Sequence, residues 1–535
     1  MKIALAQINC TASDLNNNQL IITNACQQAK NAGATLIITP ELALIGSPPQ
    51  DWLLRKEFIQ ACQQTLLQLA EQTHGITLII GHPHSIDNKL FNAISVIQNG
   101  QLLATYCKNY LSADLLSDKH RFFEAGQQPC TVECNGIRVG LATYSDHQHP
   151  HYLQKLRTAG AQILLVIDAS PYSIDGQSYR QQILHTSATQ TGLPILYINS
   201  VGGQDELVFD GASFVMDQHG KLVQQLPAFQ ETLGFIEFQH DQFTPVPYAP
   251  LPDQIESIYA ALKLGLHDFI HKNNISGVLI GLSGGVDSAL VLAIAVDALG
   301  AERVATVMMP SPYTAAISLQ DAQIMADILG VRHTEIPINH LFEEFKQTLQ
   351  PELQTWPTTG ASTTMENLQA RIRSTLLMAL ANQSGRLVLV TSNKSETAVG
   401  YSTLYGDMAG GLAILKDVNK TQVYQLCRYR NNISAVIPER ILQRPPSAEL
   451  RPEQTDQDSL PPYDVLDAIM TDYMENNLSP AEIIAKHYPA ETVYRIVQMI
   501  HANEYKRRQA APGIRITRRS FDQSWRFPIS PGFRQ

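Results

Sequence analysis

Two α/β domains joined by a proline-rich linker are what the sequence predicts, from its length, one proline cluster, and a change of rhythm across that cluster. The chain has 535 residues, and one hydrophobic core rarely organises more than about 250–300. The stretch FTPVPYAPLPD, Phe243 to Asp253, sets four prolines within eight positions. Such a run cannot be helix or central strand and reads as a stiff connector. Before it, strand patterns alternate with both hairpins and helices; after it, strand and helix alternate singly. The expected layout is therefore a first domain over 1–242, a linker over 243–253 and a second domain over 254–535.

In the first domain, β-rich runs fall at Lys2–Ile8, Thr35–Thr39, Ile76–Gly81, Phe91–Ile97, Ile137–Thr143, Gln162–Ile167 and Ile195–Asn199. Asn99-Gly100 between two apolar runs marks a hairpin turn. Helical spacing at Asn16–Ala32 and Phe58–Gln72 completes a layered α/β pattern. In the second domain the helix Ile255–Lys272 precedes the strand Gly277–Leu282, a Gly-rich turn and the helix Ala289–Leu299. The strand Arg303–Met308, a helix near Ser318–Leu329, and strands near His333–Pro337 and Leu387–Thr391 continue the rhythm. Repeated βαβ units imply a parallel, doubly wound sheet with ligands at the carboxyl ends of its strands. Six prolines between Pro438 and Pro462 suggest an ordered loop over that site. The tail from Arg515 shows no periodicity and yields no reading.

Composition removes several function classes. Hydrophobic residues at 44% and charged residues at 16% supply packed cores rather than disorder. A net charge of −10 argues against a nucleic-acid surface, which needs a basic stripe. Seven scattered cysteines without a CxxC pair fit neither a disulfide scaffold nor a zinc site. No apolar run approaches the ~20 residues that span a bilayer, and the start MKIALAQINC is too short for a signal peptide. A soluble cytoplasmic protein without membrane contact is the expectation.

The chemistry is concentrated in SGGVDS, Ser283 to Ser288, set between an apolar strand and an apolar helix. Adjacent glycines let backbone approach an anion, and amides at a helix N-terminus bind phosphate. Asp287 adds a carboxylate there, which suits a Mg²⁺ that bridges phosphates. The plainer reading is a glycine turn capping a helix; the full hexapeptide in this context outweighs it. GxxxxGK[ST] is absent, so this is not a Walker A loop.

SGGVDS resembles the signature of the N-type ATP pyrophosphatases. ENLQARIR (Glu366–Arg373), TSNKSETAVGYSTLYGD (Thr391–Asp407), PPSAELRPEQTDQDSLPPYD (Pro445–Asp464) and EYKRRQAAPG (Glu504–Gly513) narrow the resemblance to the NAD synthetase family. It covers essentially the whole second domain. The resemblance implies an adenine-nucleotide-hydrolase-like fold, ATP and deamido-NAD as substrates, Mg²⁺, and a homodimer or larger assembly. It places ATP against Gly281, Leu282, Ser283, Gly284, Gly285, Val286, Asp287, Ser288, Thr391, Lys420 and Ser447. Asp287 and Glu396 would hold the metal. Asn367, Arg371, Glu396, Asp407 and Lys506 would position the dinucleotide. Among the cations near these motifs, Arg373, Lys394 and Arg507 read equally as ligand contacts or as solvated surface charges.

The first 240 residues resemble the nitrilase-like amidase domain of glutamine-dependent members, implying an αββα sandwich with a Glu–Lys–Cys triad. TPELALIGSPPQDWLLR (Thr39–Arg55) supplies Glu41 as base, and YCKNYL (Tyr106–Leu111) supplies Lys108. GGQDELVFDG (Gly202–Gly211) and ASPY (Ala169–Tyr172) match as well. The third element departs. Where the family shows a pattern like GVLICEDIW, this chain has GLATYSDHQ, Gly140 to Gln148, with Tyr144 in the cysteine position and Ser145 where a glutamate follows. No cysteine lies between Cys134 and Cys427. The loop SADLLSDKHRFF, Ser112 to Phe123, departs too, with Lys119 for a glutamate. Amide hydrolysis by this route needs a thiolate-class nucleophile, and a phenol of pKa ~10 is a poor substitute. The catalytic cysteine is thus expected to be lost, Glu41 and Lys108 to be relics, and ammonia rather than glutamine to be the donor. A structural carboxylate is an equal reading of Glu41. Three rivals stand beside this: glutamine use through an unorthodox nucleophile, a catalytically dead scaffold, and another ATP pyrophosphatase such as a GMP synthetase. Intact ATP-site motifs weigh against the second, and ENLQARIR and SLPPYD against the third.

Overall fold

The computed structural model describes residues 1–111, 119–248, 250–357, 363–522 and 524–533. It divides into two compact units, Met1–Asp253 and Gln254–Gln535, each described by itself.

Alternation builds the first unit. In the strand Lys2–Gln7, Ile3 and Leu5 enter one core while Ala4 and Ala6 enter another, as the two-residue repeat of a strand requires. That strand pairs in parallel with Leu36–Ile38, which pairs in parallel with Thr77–Ile86. The helices Leu15–Asn31 and Lys56–Gln72 are the crossovers, and Ile22, Cys62, Leu66 and Leu69 cover the outer face of the sheet. Asn99 and Gly100 adopt φ of 48° and 85° in the hairpin that joins Lys89–Gln98 to Gln101–Cys107, the left-handed geometry that Asn-Gly serves. The result is a seven-stranded sheet facing a six-stranded one that contains Ile137–Thr143, Ile163–Asp168 and Ile195–Asn199. Leu36, Ile79 and Val96 from the first sheet share a core with Leu141, Leu165 and Phe214 from the second. The helices Pro150–Thr158 and Gly176–Thr191 lie outside, so the layers run α, β, β, α as expected.

Sequence patterning missed the strand Thr232–Gln239, which returns to pair antiparallel with Lys2–Gln7. Phe243, assigned to the linker, is instead paired in the strand Gln242–Phe243, where Phe238 opposes it. Its ring is buried, and an apolar ring of that size favours the sheet over the connector.

The second unit holds five strands in the spatial order Arg332–Glu335, Val304–Met308, Val278–Gly281, Leu387–Val390, Leu412–Ala413, every neighbouring pair parallel. The chain moves outward from the central strand twice, then resumes on its other side. That reversal opens a crevice at the carboxyl end of Val278–Gly281. The helix Val286–Leu299 is apolar on nearly every face and is buried. A separate helical core joins Tyr463–Met474 and Ala490–Ala502 with Phe521 and Trp525. The tail that sequence periodicity could not read is thus held by its aromatics, and by Asp417, whose Oδ2 accepts the amides of Ile516 and Thr517 at 2.7 Å each. Among the described residues, no helix is long and apolar enough to cross a membrane.

Candidate active site

The crevice is a cavity of about 810 Å³. Its floor is the turn after Val278–Gly281. Gly284 has φ of +76°, and a Cβ there would meet the Ser318 carbonyl oxygen at 2.4 Å, so only glycine fits. The serines of the turn brace one another. Ser288 Oγ donates to the Gly285 carbonyl at 3.0 Å, and the amide of Gly285 donates to Ser283 Oγ at 3.2 Å. The first-turn amides of Val286–Leu299 have no intrahelical acceptor and open toward the cavity, which Val286, Asp287 and Ser288 line.

Four side chains meet beside this turn. Lys420 Nζ donates to Asp287 Oδ2 at 2.6 Å and to Glu396 Oε1 at 3.1 Å. Asn393 Nδ2 donates to Asp287 Oδ1 at 2.9 Å. Asn393 and Glu396 form the capping box of the short helix Lys394–Val399, which fixes Glu396 at the end of the strand Leu387–Val390. Burial pushes the Glu396 carboxyl upward, with Asp287 adding to the shift and Lys420 opposing it. Burial also works against the Lys420 ammonium, yet Asp287 and Glu396 hold its pKa above the ordinary lysine range. Two carboxylates converging on one cation position suit Mg²⁺, which takes few protein ligands and fills its shell with phosphate oxygens and water. Among the described residues no cluster of three or more His, Cys, Asp or Glu is poised to hold a metal alone.

A further part of the cavity lining is polar and tightly tied. Thr403 donates through Oγ1 to Asn367 Oδ1 at 2.8 Å and through its amide to Asp407 Oδ1 at 2.6 Å. Lys506 Nζ donates to the carbonyls of Gly400 and Ser402, both at 2.8 Å. Asp407 keeps an exposed surface, and desolvation by the surrounding chain raises its carboxyl to about 6 against the pull of those amides and of Lys506.

In the first unit, Lys108 Nζ donates to Glu41 Oε1 at 2.8 Å, and both side chains are 1% exposed. Asn92 Nδ2 donates to the same oxygen at 2.7 Å. Tyr144 follows the strand Ile137–Thr143 and lies against the His147 ring, with centroids 4.3 Å apart. Burial, with help from His149 and Lys108, lowers His147 to about 3. Burial pushes the thiols of Cys26, Cys62 and Cys134 up to about 12 and raises those of Cys107 and Cys130. None of these five is poised as a thiolate.

The model of the carbon-nitrogen hydrolase family matches residues 2–248, and that of the NAD synthase family matches 258–510. The glutamine-dependent NAD(+) synthetase of Acinetobacter baylyi is 43% identical, across 100% of this chain and 99% of its own. That of Aquifex aeolicus is 40% identical across 100% of both. The structure of the glutamine-dependent NAD+ synthetase from Acinetobacter baumannii in complex with ADP superposes with a TM-score of 0.81 at 41% identity, covering 99% of this chain and 98% of that one. The chain belongs to the NAD synthetase family.

A NAD synthetase consumes ATP, and the cavity gathers most of the residues assigned to that chemistry from sequence. Gly281 through Ser288, Asn367, Thr391, Glu396, Asp407, Lys420, Ser447 and Lys506 all line it. Arg371 does not. It is exposed and donates through Nε to the Leu404 carbonyl at 3.2 Å. Arg373, read evenly between surface and site, lines the cavity, donates through Nε to the Met309 carbonyl at 2.9 Å, and is lowered to about 10 by burial against the pull of Glu449. Lys394 and Arg507 fit neither reading. Lys394 is fully buried between Asp417 at 2.9 Å and Glu475 at 2.8 Å. Arg507 is buried against Glu504 and lies over the Phe521 and Trp525 rings. Both cations hold this NAD synthetase together, because a buried charge persists only where it is paired.

Sequence reasoning also passed over Arg444 and Glu449. Arg444 Nη2 donates to the Gly284 carbonyl at 2.7 Å. Glu449 accepts from Ser318 Oγ at 2.6 Å and from the Ala315 amide at 3.2 Å. Arg444 was signalled only by the proline-dense segment that contains it, and Glu449 also by the family-like motif Pro445–Asp464, in which it was not singled out. The departing loop Ser112–Phe123 lies largely outside the described residues, as 112–118 are among those not described.

Proposed function

We propose that this NAD synthetase adenylates deamido-NAD in the second-unit cavity and forms the amide with free ammonia. The nicotinate carboxylate is a poor electrophile. Attack on the α-phosphate of ATP turns it into an acyl-adenylate with AMP as leaving group and releases pyrophosphate, and ammonia then displaces AMP. In this reading the amides after Gly284 and the turn around it hold the pyrophosphate. Mg²⁺, held by Asp287 and Glu396, would neutralise phosphate charge. Lys420 carries a further positive charge to the same oxygens. Asn367, Asp407 and Lys506, already fixed by short hydrogen bonds, would orient the dinucleotide without reorganisation. The proline-dense loop that contributes Arg444, Ser447 and Glu449 would keep water from the adenylate.

The observation that carries the donor assignment is Tyr144 at the end of the strand Ile137–Thr143, where the amidase pattern needs cysteine. With no thiol there, Glu41 and Lys108 have each other as partners and nothing to activate. One specific finding favours glutamine instead: relatives that match over the whole chain carry the name glutamine-dependent. Glutamine use here would then run through Ser145 or another unorthodox nucleophile. Purified protein given ATP, deamido-NAD and either ammonium or glutamine separates the two. Ammonium is expected to support NAD formation, and glutamine only to the extent of its ammonia contamination. Stoichiometric release of glutamate coupled to NAD would overturn the ammonia assignment.

A further inference from the structure

The Lys420 ammonium stands where a cation shared by Asp287 and Glu396 would stand. Its nitrogen is 2.6 Å from one carboxylate and 3.1 Å from the other, its side chain is 2% exposed, and it lies 5.3 Å from the centre of the Tyr463 ring. The backbone beneath it is fixed. Lys420 opens the helix Lys420–Ile433, its amide donates to Ser395 Oγ at 2.9 Å, and the next residue is tied to Asp467 Oδ2 through the Thr421 amide at 2.9 Å and hydroxyl at 2.8 Å. Only the four-carbon stem is left to move. A cation at a helix N-terminus also sits at the wrong end of the helix dipole, so the two carboxylates are what hold it there.

We propose that Lys420 is the resident counter-ion of the Asp287–Glu396 pair, occupying the divalent-metal position until nucleotide arrives, so that metal and ATP enter together. This rests on the reading of Asp287 and Glu396 as the metal carboxylates. The physical reason is competition. A tethered ammonium is present at a high effective concentration, and a divalent ion must displace it from both oxygens before it can bind. Displacement without nucleotide deprives a buried ammonium of its two hydrogen-bonded carboxylates and leaves it only the weaker pull of Asp456, which is costly. ATP removes that cost, because its phosphates accept the displaced ammonium on the same stem. Lys420 thereby couples two binding events, and linkage makes the coupling mutual: metal strengthens ATP binding as ATP strengthens metal binding. The ammonium also prevents the two partly buried carboxylates from repelling each other apart, so their oxygens stay convergent for the ion that replaces it.

The test reads metal binding rather than turnover. Full-length, nucleotide-free protein is titrated with Mn²⁺, and free Mn²⁺ is followed by electron paramagnetic resonance. Lys420→Met and Lys420→Ala are compared with wild type, with circular dichroism and melting temperature as checks of folding. Both variants are expected to bind Mn²⁺ at least about tenfold more tightly than wild type, since one competing charge is gone. That gain should vanish when Asp287→Asn or Glu396→Gln is added. Folded variants that bind Mn²⁺ no more tightly than wild type would overturn the proposal. So would micromolar Mn²⁺ binding by nucleotide-free wild type that Asp287→Asn abolishes, a result that needs no lysine variant. A gain that survives both carboxylate substitutions would sink the metal assignment itself. Absence of any gain, with Mn²⁺-dependent ATP binding still lost in Asp287→Asn, would sink only the role of Lys420.

Discussion

At the scale of single residues the cavity depends on places where one atom more or less decides the outcome. Gly284 is one. Alanine there combines a positive φ, which costs an L-residue about 1–2 kcal/mol, with a Cβ placed 2.4 Å from the Ser318 carbonyl oxygen. Gly284→Ala should therefore lower the melting temperature by several degrees and weaken ATP binding about tenfold or more, read by thermal melts and ATP–pyrophosphate exchange. Asp407 is another. Its folded pKa of about 6 lies above the ordinary value of 3.8, so the folded state keeps a proton that the unfolded chain has released. Stability should then fall as pH rises from about 4 to about 6 and level off above, by a modest amount because Asp407 is exposed and solvent screens it. Asp407→Asn keeps the acceptor for the Thr403 amide and should flatten that decline, as melts of ligand-free protein across the window would reveal. An undiminished slope in the variant would assign it elsewhere. The same scale shows where sequence stops. The SGGVDS turn is legible because its spacing is its geometry. Lys394 and Arg507 are not, because a lysine or arginine beside a site motif is spelled identically whether it faces a phosphate or a buried carboxylate. The partners of Lys394, Asp417 and Glu475, lie far along the chain, and the Glu504 beside Arg507 would look the same on an exposed helical turn.

Among the elements, the segment from Arg444 to Asp458 behaves as a strap fastened at chosen points. Glu449 caps the helix Ala316–Leu329 from outside, accepting both the Ala315 amide and the Ser318 hydroxyl, while Arg444 bonds the Gly284 carbonyl. Removing the carboxylate with Glu449→Ala should loosen the strap with little effect on the packed core. A charge-assisted pair of this kind is worth about 1.5–3 kcal/mol, so KM for ATP should rise roughly tenfold or more while the melting temperature changes little. A change confined to kcat would contradict a positioning role. In the first unit the Glu41–Lys108 pair links two strand ends and is sealed from solvent. If it is now structural, Glu41→Ala should destabilise by about 3–5 kcal/mol by stranding a buried ammonium. The double variant Glu41→Ala/Lys108→Met should recover much of that loss, in denaturant melts of the whole chain. Strands such as Lys2–Gln7 were legible because a short apolar run feeds both faces of a buried strand. The strand Thr232–Gln239 was passed over although Gly234, Ile236 and Phe238 alternate inward, and its partner lies more than 200 residues away.

For the whole molecule, the proposed nitrogen donor turns on what the sandwich unit retains of an amidase site. Family membership brings an amidase fold, and the fold is intact in its sheets, helices and Glu41–Lys108 pair. In the proposed reading the nucleophile position is not, and the thiols of Cys107, Cys130 and Cys134 are raised rather than lowered toward reactivity. If ammonia from solution is the donor, the attacking species is NH₃ and not ammonium. At fixed total ammonium the rate of NAD formation should rise about tenfold per pH unit while ammonium predominates, until another group limits it. A glutamine-analogue thiol trap such as diazo-oxo-norleucine should leave that rate unchanged and label no residue of 1–253, as mass spectrometry of the treated protein would record. Tyr144→Cys alone should restore little glutamine-driven activity, because Ser145 and His147 surround the position with side chains foreign to the pattern and catalytic groups act as a unit. Full glutamine-driven turnover from that single change would mean that the remainder of the amidase site had been preserved. Labelling of wild-type protein, with loss of glutamine-driven but not ammonium-driven turnover, would instead identify a working nucleophile other than cysteine in the first unit.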